Sequence, residues 1–143
     1  MSTIPAWLPY ALGSAFFAAL TALFGKFGVA GISSNMATLI RTAVILAVIA
    51  AIVLSRSEWQ PLSTVPRPNW TWLVLSGLVS GLSWLCYYRA LQLGPISMVA
   101  PVDKLSVAFA ILFGVFALGE QLTWPIAIGG GLIILGTIVI IAF

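Results

Sequence analysis

Residues 42–54 read TAVILAVIAAIVL, a run with one hydroxyl and no charge. Side chains recur every 2.0 residues on one face of a strand and every 3.6 on one face of a helix. From Val44 to Val53 both periods give the same answer, apolar on every face. A strand of a membrane barrel needs about ten residues of strict apolar and polar alternation, which this run lacks. Ser33 and Ser34 ahead of it are good N-cap residues. The stretch therefore reads as one helix over residues 34–54, close to the roughly 20 mostly apolar residues that cross a bilayer. Residues 126–141, IAIGGGLIILGTIVII, repeat the pattern.

Working outward, three further stretches meet the same length and polarity, and the expected spans are residues 5–29, 34–54, 69–93, 97–118 and 123–143. Ala30-Gly31 marks the first break. Between the second and third spans lies the only substantial loop, residues 55–68, with Arg56, Glu58, Arg67 and the prolines Pro61, Pro66 and Pro68. Gly94-Pro95 is a helix-stop signal, and Gly119-Glu120-Gln121 forms the last turn. Thr123 can cap the fifth helix, with Pro125 in its first turn. The reading is an all-α integral membrane protein, a single transmembrane domain over residues 1–143.

Composition agrees. The chain has 143 residues, 62% hydrophobic and 6% charged, against roughly 25% charged in a soluble domain. Lipid is the solvent that accommodates such a chain. Six basic and three acidic residues give a net charge of +3 spread along the sequence, with no basic run suited to nucleic acid. There is no histidine, so no cluster for a metal is visible, and neither a nucleophile with its base nor a phosphate-binding loop appears. No enzymatic activity and no cofactor are expected. Cys86, the single cysteine, lies in an apolar stretch and reads as packing. The N-terminus lacks a basic leader, and its apolar stretch exceeds the about 7–15 residues of a cleavable signal, so the first span is expected to stay as an anchor.

Five crossings put the termini on opposite sides. One face carries the N-terminus, the 55–68 loop and the 119–121 turn, and Trp7, Trp59, Trp70, Trp72 and Trp124 all fall there, where indole rings favour the headgroup layer. The other face carries the turns near Ala30 and Gly94 and the C-terminus. Arg56 and Arg67 belong to the first face; Lys26, Arg41, Arg89 and Lys104 lie toward the second. The positive-inside rule then nearly balances, which permits insertion in both orientations. Small residues at four-residue spacing, Ser76, Gly77, Ser80 and Gly81 in the third span, Ala11, Ala15 and Ala19 in the first, and Ala127 and Gly131 in the fifth, are candidates for helix contacts.

Charge inside a span costs about 2.5–3.5 kcal/mol on insertion scales and marks a functional site by default. Lys26 is expected to reach the headgroups on its long stem. Arg41 lies about 10 Å inside its helix. Asp103 is too short to reach far, so it needs a partner, a water-filled cavity or a proton, with Arg41, Arg89 and Lys104 as candidate partners. Pro101, a turn into the fourth helix, removes a hydrogen bond and leaves the Ser97 carbonyl open. Interrupted helices beside charges recur where transporters bind cargo. Trp84, Tyr88 and Gln92 fall on one helical face, and with Tyr87 would line a path there or pack.

At these residues the chain resembles a known family. Trp84 to Tyr88, then Arg89-Ala90-Leu91, Gly94-Pro95, Pro101 and Gly119-Glu120 before Thr123, are similar to the EamA repeat of the drug/metabolite transporter superfamily. Arg41 early in the second helix and Gly129 to Gly131 in the fifth fit as well. Asp103-Lys104 departs from the pattern, since many members are apolar there. The resemblance implies an EamA-like single repeat in a multi-pass protein of the cell membrane. Larger members carry two such five-helix repeats, inverted, with the substrate path between them, and move small organic solutes. A lone repeat is half of that arrangement, so a secondary transporter working by alternating access as an antiparallel homodimer is expected. The alternative is a non-transporting helper that pairs with another half-size chain. Related four-helix small multidrug resistance proteins carry a glutamate in the first helix; this first helix has no acidic residue, which argues against proton-coupled cation export on that pattern. Arg41, Trp84, Tyr88, Arg89, Asp103 and Lys104 are the expected substrate or ion contacts, with Pro101 as a helix interruption and Gly119-Glu120 as a structural turn. Three positive charges against one favour an anionic or zwitterionic cargo.

Overall fold

Ser33 sits at φ −67°, ψ 143°, and its hydroxyl accepts the Met36 N–H at 3.2 Å, opening the helix Ser34–Ser55 where the capping serines place it. The computed structural model describes residues 5–143, so residues 1–4 of the expected domain lie outside the described residues. In chain order the elements are α1 (Leu8–Gly28), α2 (Ser34–Ser55), a 3-10 turn (Leu62–Thr64), α3 (Arg67–Leu93), α4 (Ile96–Asp103), α5 (Leu105–Leu118) and α6 (Trp124–Ala142). No strand occurs among the described residues. Taken together as Ile96–Leu118, α4 and α5 make one span, and the described residues hold five helical segments long and apolar enough to cross a membrane. It is all-helical.

Two details differ from the sequence reading. Arg67 and Pro68 belong to α3 rather than to the loop before it. Proline is tolerated in a helix's first turn, where its missing N–H has no partner anyway. At 27 residues α3 is about 40 Å long, more than the roughly 30 Å hydrocarbon core, a mismatch that tilt or a protruding end accommodates. The fourth span, where Pro101 is the expected interruption, stays helical through Pro101 and breaks at Lys104. The Lys104 N–H bonds to the Pro101 carbonyl at 3.0 Å, and the Val107 N–H to the Lys104 carbonyl at 3.0 Å. Both bonds reach back three residues, a local tightening one turn after the proline.

The last turn is set by Gly119, at φ 71°. Its N–H and that of Glu120 both return to the Gly114 carbonyl. A left-handed residue with a Cβ costs roughly 1–2 kcal/mol. Gly119→Ala is therefore expected to lower unfolding free energy in detergent by about that amount, and Gly119→Asn by less, as SDS titration of the purified protein would measure. The Glu120 carboxylate lies back over Gly114, its Oε2 2.7 Å from where a Cβ on Gly114 would stand. These residues order a turn.

The chain forms two compact bodies: Phe24–Gln92, and the described residues up to Leu23 with Leu93–Phe143. Helices in lipid gain little by hiding apolar surface from one another, so close approach carries the packing. In the first body Gly25 meets the ring of Tyr88 and the side chain of Leu91, which is 0% exposed. In the second, α6 packs on α4 and α5, and Gly130 approaches Ile111 so nearly that a Cβ would stand 2.9 Å from its Cδ1. The expected small-residue stripes do not carry this packing. Ser76, Gly77, Ser80 and Gly81 are all exposed, as are Ala11, Ala15 and Ala19, and no atom would meet a Cβ at Gly77, Gly81 or Gly131 within 4 Å. Spacing alone does not say which small residues face a neighbour.

Candidate functional site

Arg41 stands two turns into α2, and Trp84, Tyr87, Tyr88 and Arg89 occupy the last turns of α3. The body Phe24–Gln92 brings the first of these to the second. The guanidinium carbon of Arg41 lies 3.3 Å from the centre of the Trp84 ring and 6.0 Å from that of Tyr88. Tyr87 and Tyr88 flank the indole at 5.5 and 5.7 Å, the former nearly perpendicular at 82°. Tyr88 is buried, while Arg41 and Trp84 are half-buried. A cation over an indole face is worth about 0.5–2 kcal/mol, more as water is excluded. This offsets part of the charge's insertion cost but leaves the guanidinium edge unanswered.

The end of α3 is held by a second set of contacts. Gln92 donates from Nε2 to the Ile32 carbonyl at 2.7 Å and to the Val29 carbonyl at 3.2 Å, and its Oε1 accepts from Arg89 Nη1 at 3.1 Å. Every polar atom of the carboxamide is thereby used. Lys26, in the last turn of α1, donates from Nζ to the carbonyl of Leu91. A cation there answers the carbonyls that a helix C-terminus leaves unbonded. Each helix thus caps carbonyls at the other's end. Lys26 reaches across to α3 where the sequence suggested the headgroups, and Gln92 fastens a turn where it suggested a path lining. Nothing in the sequence spacing pointed to this pairing, since the partners are backbone oxygens more than 60 positions away.

In the other body, Asp103 and Lys104 lie at the junction of α4 and α5. Lys104 Nζ is 3.4 Å from Asp103 Oδ2, with side chains 55% and 39% exposed, so of the candidate partners for Asp103 the ion pair seen is with its neighbour. Pro101 accepts at its carbonyl from Lys104 N–H, and the Thr137 hydroxyl, which donates to Ile133 O at 2.8 Å, is 3.3 Å from that same oxygen. Ala100, Pro101 and Lys104 face Gly136 and Thr137 of α6 across an open, mainly apolar groove of about 420 Å³. Gly119 and Glu120 belong to the turn at the far end of α5. Among the described residues no group of three or more Cys, Asp or Glu side chains could hold a metal.

Residues 5–142 match a family described as the EamA-like transporter family. The chain is also similar to a protein of Sinorhizobium sp described as "Uncharacterized transporter in cobO 3'region", with 52% identity over 137 residues, covering 96% of this chain and 97% of that protein. No solved structure matches.

Proposed function

This chain belongs to the EamA-like transporter family, and we propose that it moves small organic solutes by alternating access as an antiparallel pair of copies. It is a multi-pass membrane transporter with lipid against its spans. One observation carries the finer reading. No more than 11% of any span's apolar window is buried, and none of α3's. A polar solute needs walls on every side in a medium that offers it no hydrogen bonds. Spans this exposed call for a second set, and the exposed Ser76, Gly77, Ser80 and Gly81 offer a face on which one could approach closely.

With an odd number of crossings, an inverted pair forms only when that second set runs the other way. A copy inserted upside down generates the in-plane two-fold axis of inverted-repeat transporters, with the site near the midplane between halves. Each chain then acts as a single EamA-like domain. In this reading Arg41, Trp84, Tyr88 and Arg89 meet an anionic or zwitterionic substrate. Asp103 and Lys104 serve ion coupling, at a break next to Pro101 where the helix is already released from its regular bonding.

The test is the position of the C-terminus. Fused to a reporter active only in the cytoplasm, and separately to one active only outside, the chain is expected to give signals of similar size with both. Signal from one reporter alone removes the antiparallel homodimer.

A further inference from the structure

The cations set within the spans are not alike in what answers them. Lys26 donates to the Leu91 carbonyl, Arg89 to the Gln92 side chain, and Lys104 pairs with Asp103. Among the described residues no oxygen accepts from the guanidinium of Arg41, yet it lies about 10 Å along its helix, beyond easy reach of the headgroups. Its nitrogens are not sealed away either, since no unbonded side-chain nitrogen is fully buried in the described residues.

The geometry says which part of the group is open. With the central carbon 3.3 Å above the indole, a nitrogen aimed at the ring would come within about 2 Å of it, given a C–N bond of about 1.33 Å. The guanidinium must therefore lie flat on Trp84, with its N–H donors directed sideways, parallel to the ring. That edge is a planar fork of donors which fits both oxygens of a carboxylate at once. The indole meanwhile excludes water from one face and strengthens the contact.

We infer that Arg41 lying on Trp84 is a receptor for one carboxylate group, which makes the cargo an organic acid of single negative charge. The inference rests on the transporter reading and names its substrate class. Charge matching selects the carboxylate over a phosphate monoester: the latter carries about −1.5 to −2 at neutral pH. Arg89 already donates to Gln92, and the guanidinium of Arg41 by itself would leave the excess in a medium where unpaired charge is expensive. An amine is repelled, and a neutral alcohol leaves the charge unanswered.

The experiment is a binding assay on purified protein in detergent, with radiolabelled phenylacetate as probe and size-matched competitors. Phenylacetate is expected to bind saturably. Unlabelled phenylacetate and 3-phenylpropionate should displace it. Phenethylamine and 2-phenylethanol should not, and phenyl phosphate should be at least tenfold weaker. Arg41→Lys, which keeps the charge but loses the fork, should bind at least tenfold more weakly. In the unaltered protein, phenylacetate should slow phenylglyoxal modification of Arg41, followed by peptide mass spectrometry, and phenethylamine should not; this arm needs no variant to fold. No saturable binding, equal displacement by the amine or alcohol, preference for phenyl phosphate, unchanged binding by Arg41→Lys or unprotected Arg41 each overturns the assignment. Binding without phenylacetate flux in proteoliposomes would instead leave the receptor standing and remove its place on the proposed transport path.

Discussion

Gly25→Leu is expected to destabilise the protein by about 1–3 kcal/mol or more and to disable the Arg41–Trp84 site without touching it. A Cβ alone at Gly25 would stand 3.3 Å from the Tyr88 hydroxyl oxygen, 3.4 Å from its Cζ and 3.5 Å from Leu91 Cδ1. Those neighbours have little room to yield. Tyr88 is 5% exposed and Leu91 0%, and the Tyr88 ring is already 5.7 Å from that of Trp84. The further carbons of leucine must therefore separate α1 from α3 or drive Tyr88 toward the indole. The first outcome stretches the bonds from Lys26 to Leu91 and from Gln92 to Val29 and Ile32. The second disturbs the surface on which Arg41 lies. Thermal unfolding in detergent, with phenylacetate binding on the same preparation, reads both. Gly25→Ala should show a much smaller loss. Gly28→Leu is the control, three residues along the same helix where no atom would meet a Cβ within 4 Å. A Gly25→Leu protein that melts with the wild type would show that this close approach does not hold the body together.

Locking every copy in one orientation should abolish transport, and mixing two oppositely locked populations should restore it. The positive charges are nearly balanced between the faces, so a few substitutions decide orientation. Glu58→Lys with Gln60→Lys adds positive charge to the α2–α3 connection and should hold it in the cytoplasm. Arg56→Ser with Arg67→Ser should hold it outside. Neither pair removes a contact of consequence: Arg56 and Glu58 are 4.0 Å apart and mostly exposed, and such pairs contribute about 0–1 kcal/mol. Each variant alone is expected to transport at least about tenfold less than the wild type, and co-expression to recover most of it, because the bias acts on insertion and not on the folded pair. Full activity of either variant by itself would rule out an antiparallel arrangement.

How far the sequence could be read differs from residue to residue. Arg41 and Asp103 stood out because charge in a span is costly wherever its partner lies, and Trp84 and Tyr88 because helical spacing aligns them. That the guanidinium lies on the indole was not legible, since it depends on how α2 and α3 meet. Gly25 gave no signal. Its neighbours four places away are Thr21 and Val29, no Gly, Ala or Ser to extend a stripe of the kind seen in the third span, and its importance comes from the ring it meets. Ser76, Gly77, Ser80 and Gly81 gave the opposite case, a clear stripe that stays exposed among the described residues. The break at Lys104 was half visible: Pro101 announced it, but the hydrogen bonds shift a turn later.

The membrane and the five segments able to cross it followed from the sequence alone. A bilayer asks only local questions of each segment: whether it is long enough, apolar enough and able to satisfy its own backbone hydrogen bonds. Runs such as residues 42–54 answer without reference to the rest of the chain. Which faces meet, which charges find an oxygen and which one is left open were settled only in three dimensions. In water, an inward face declares itself by being apolar; in lipid, both faces are apolar and no such code exists. Partner choice is then left to shape and to a few polar contacts, such as Gln92 with Val29 and Ile32, whose two ends lie far apart along the chain.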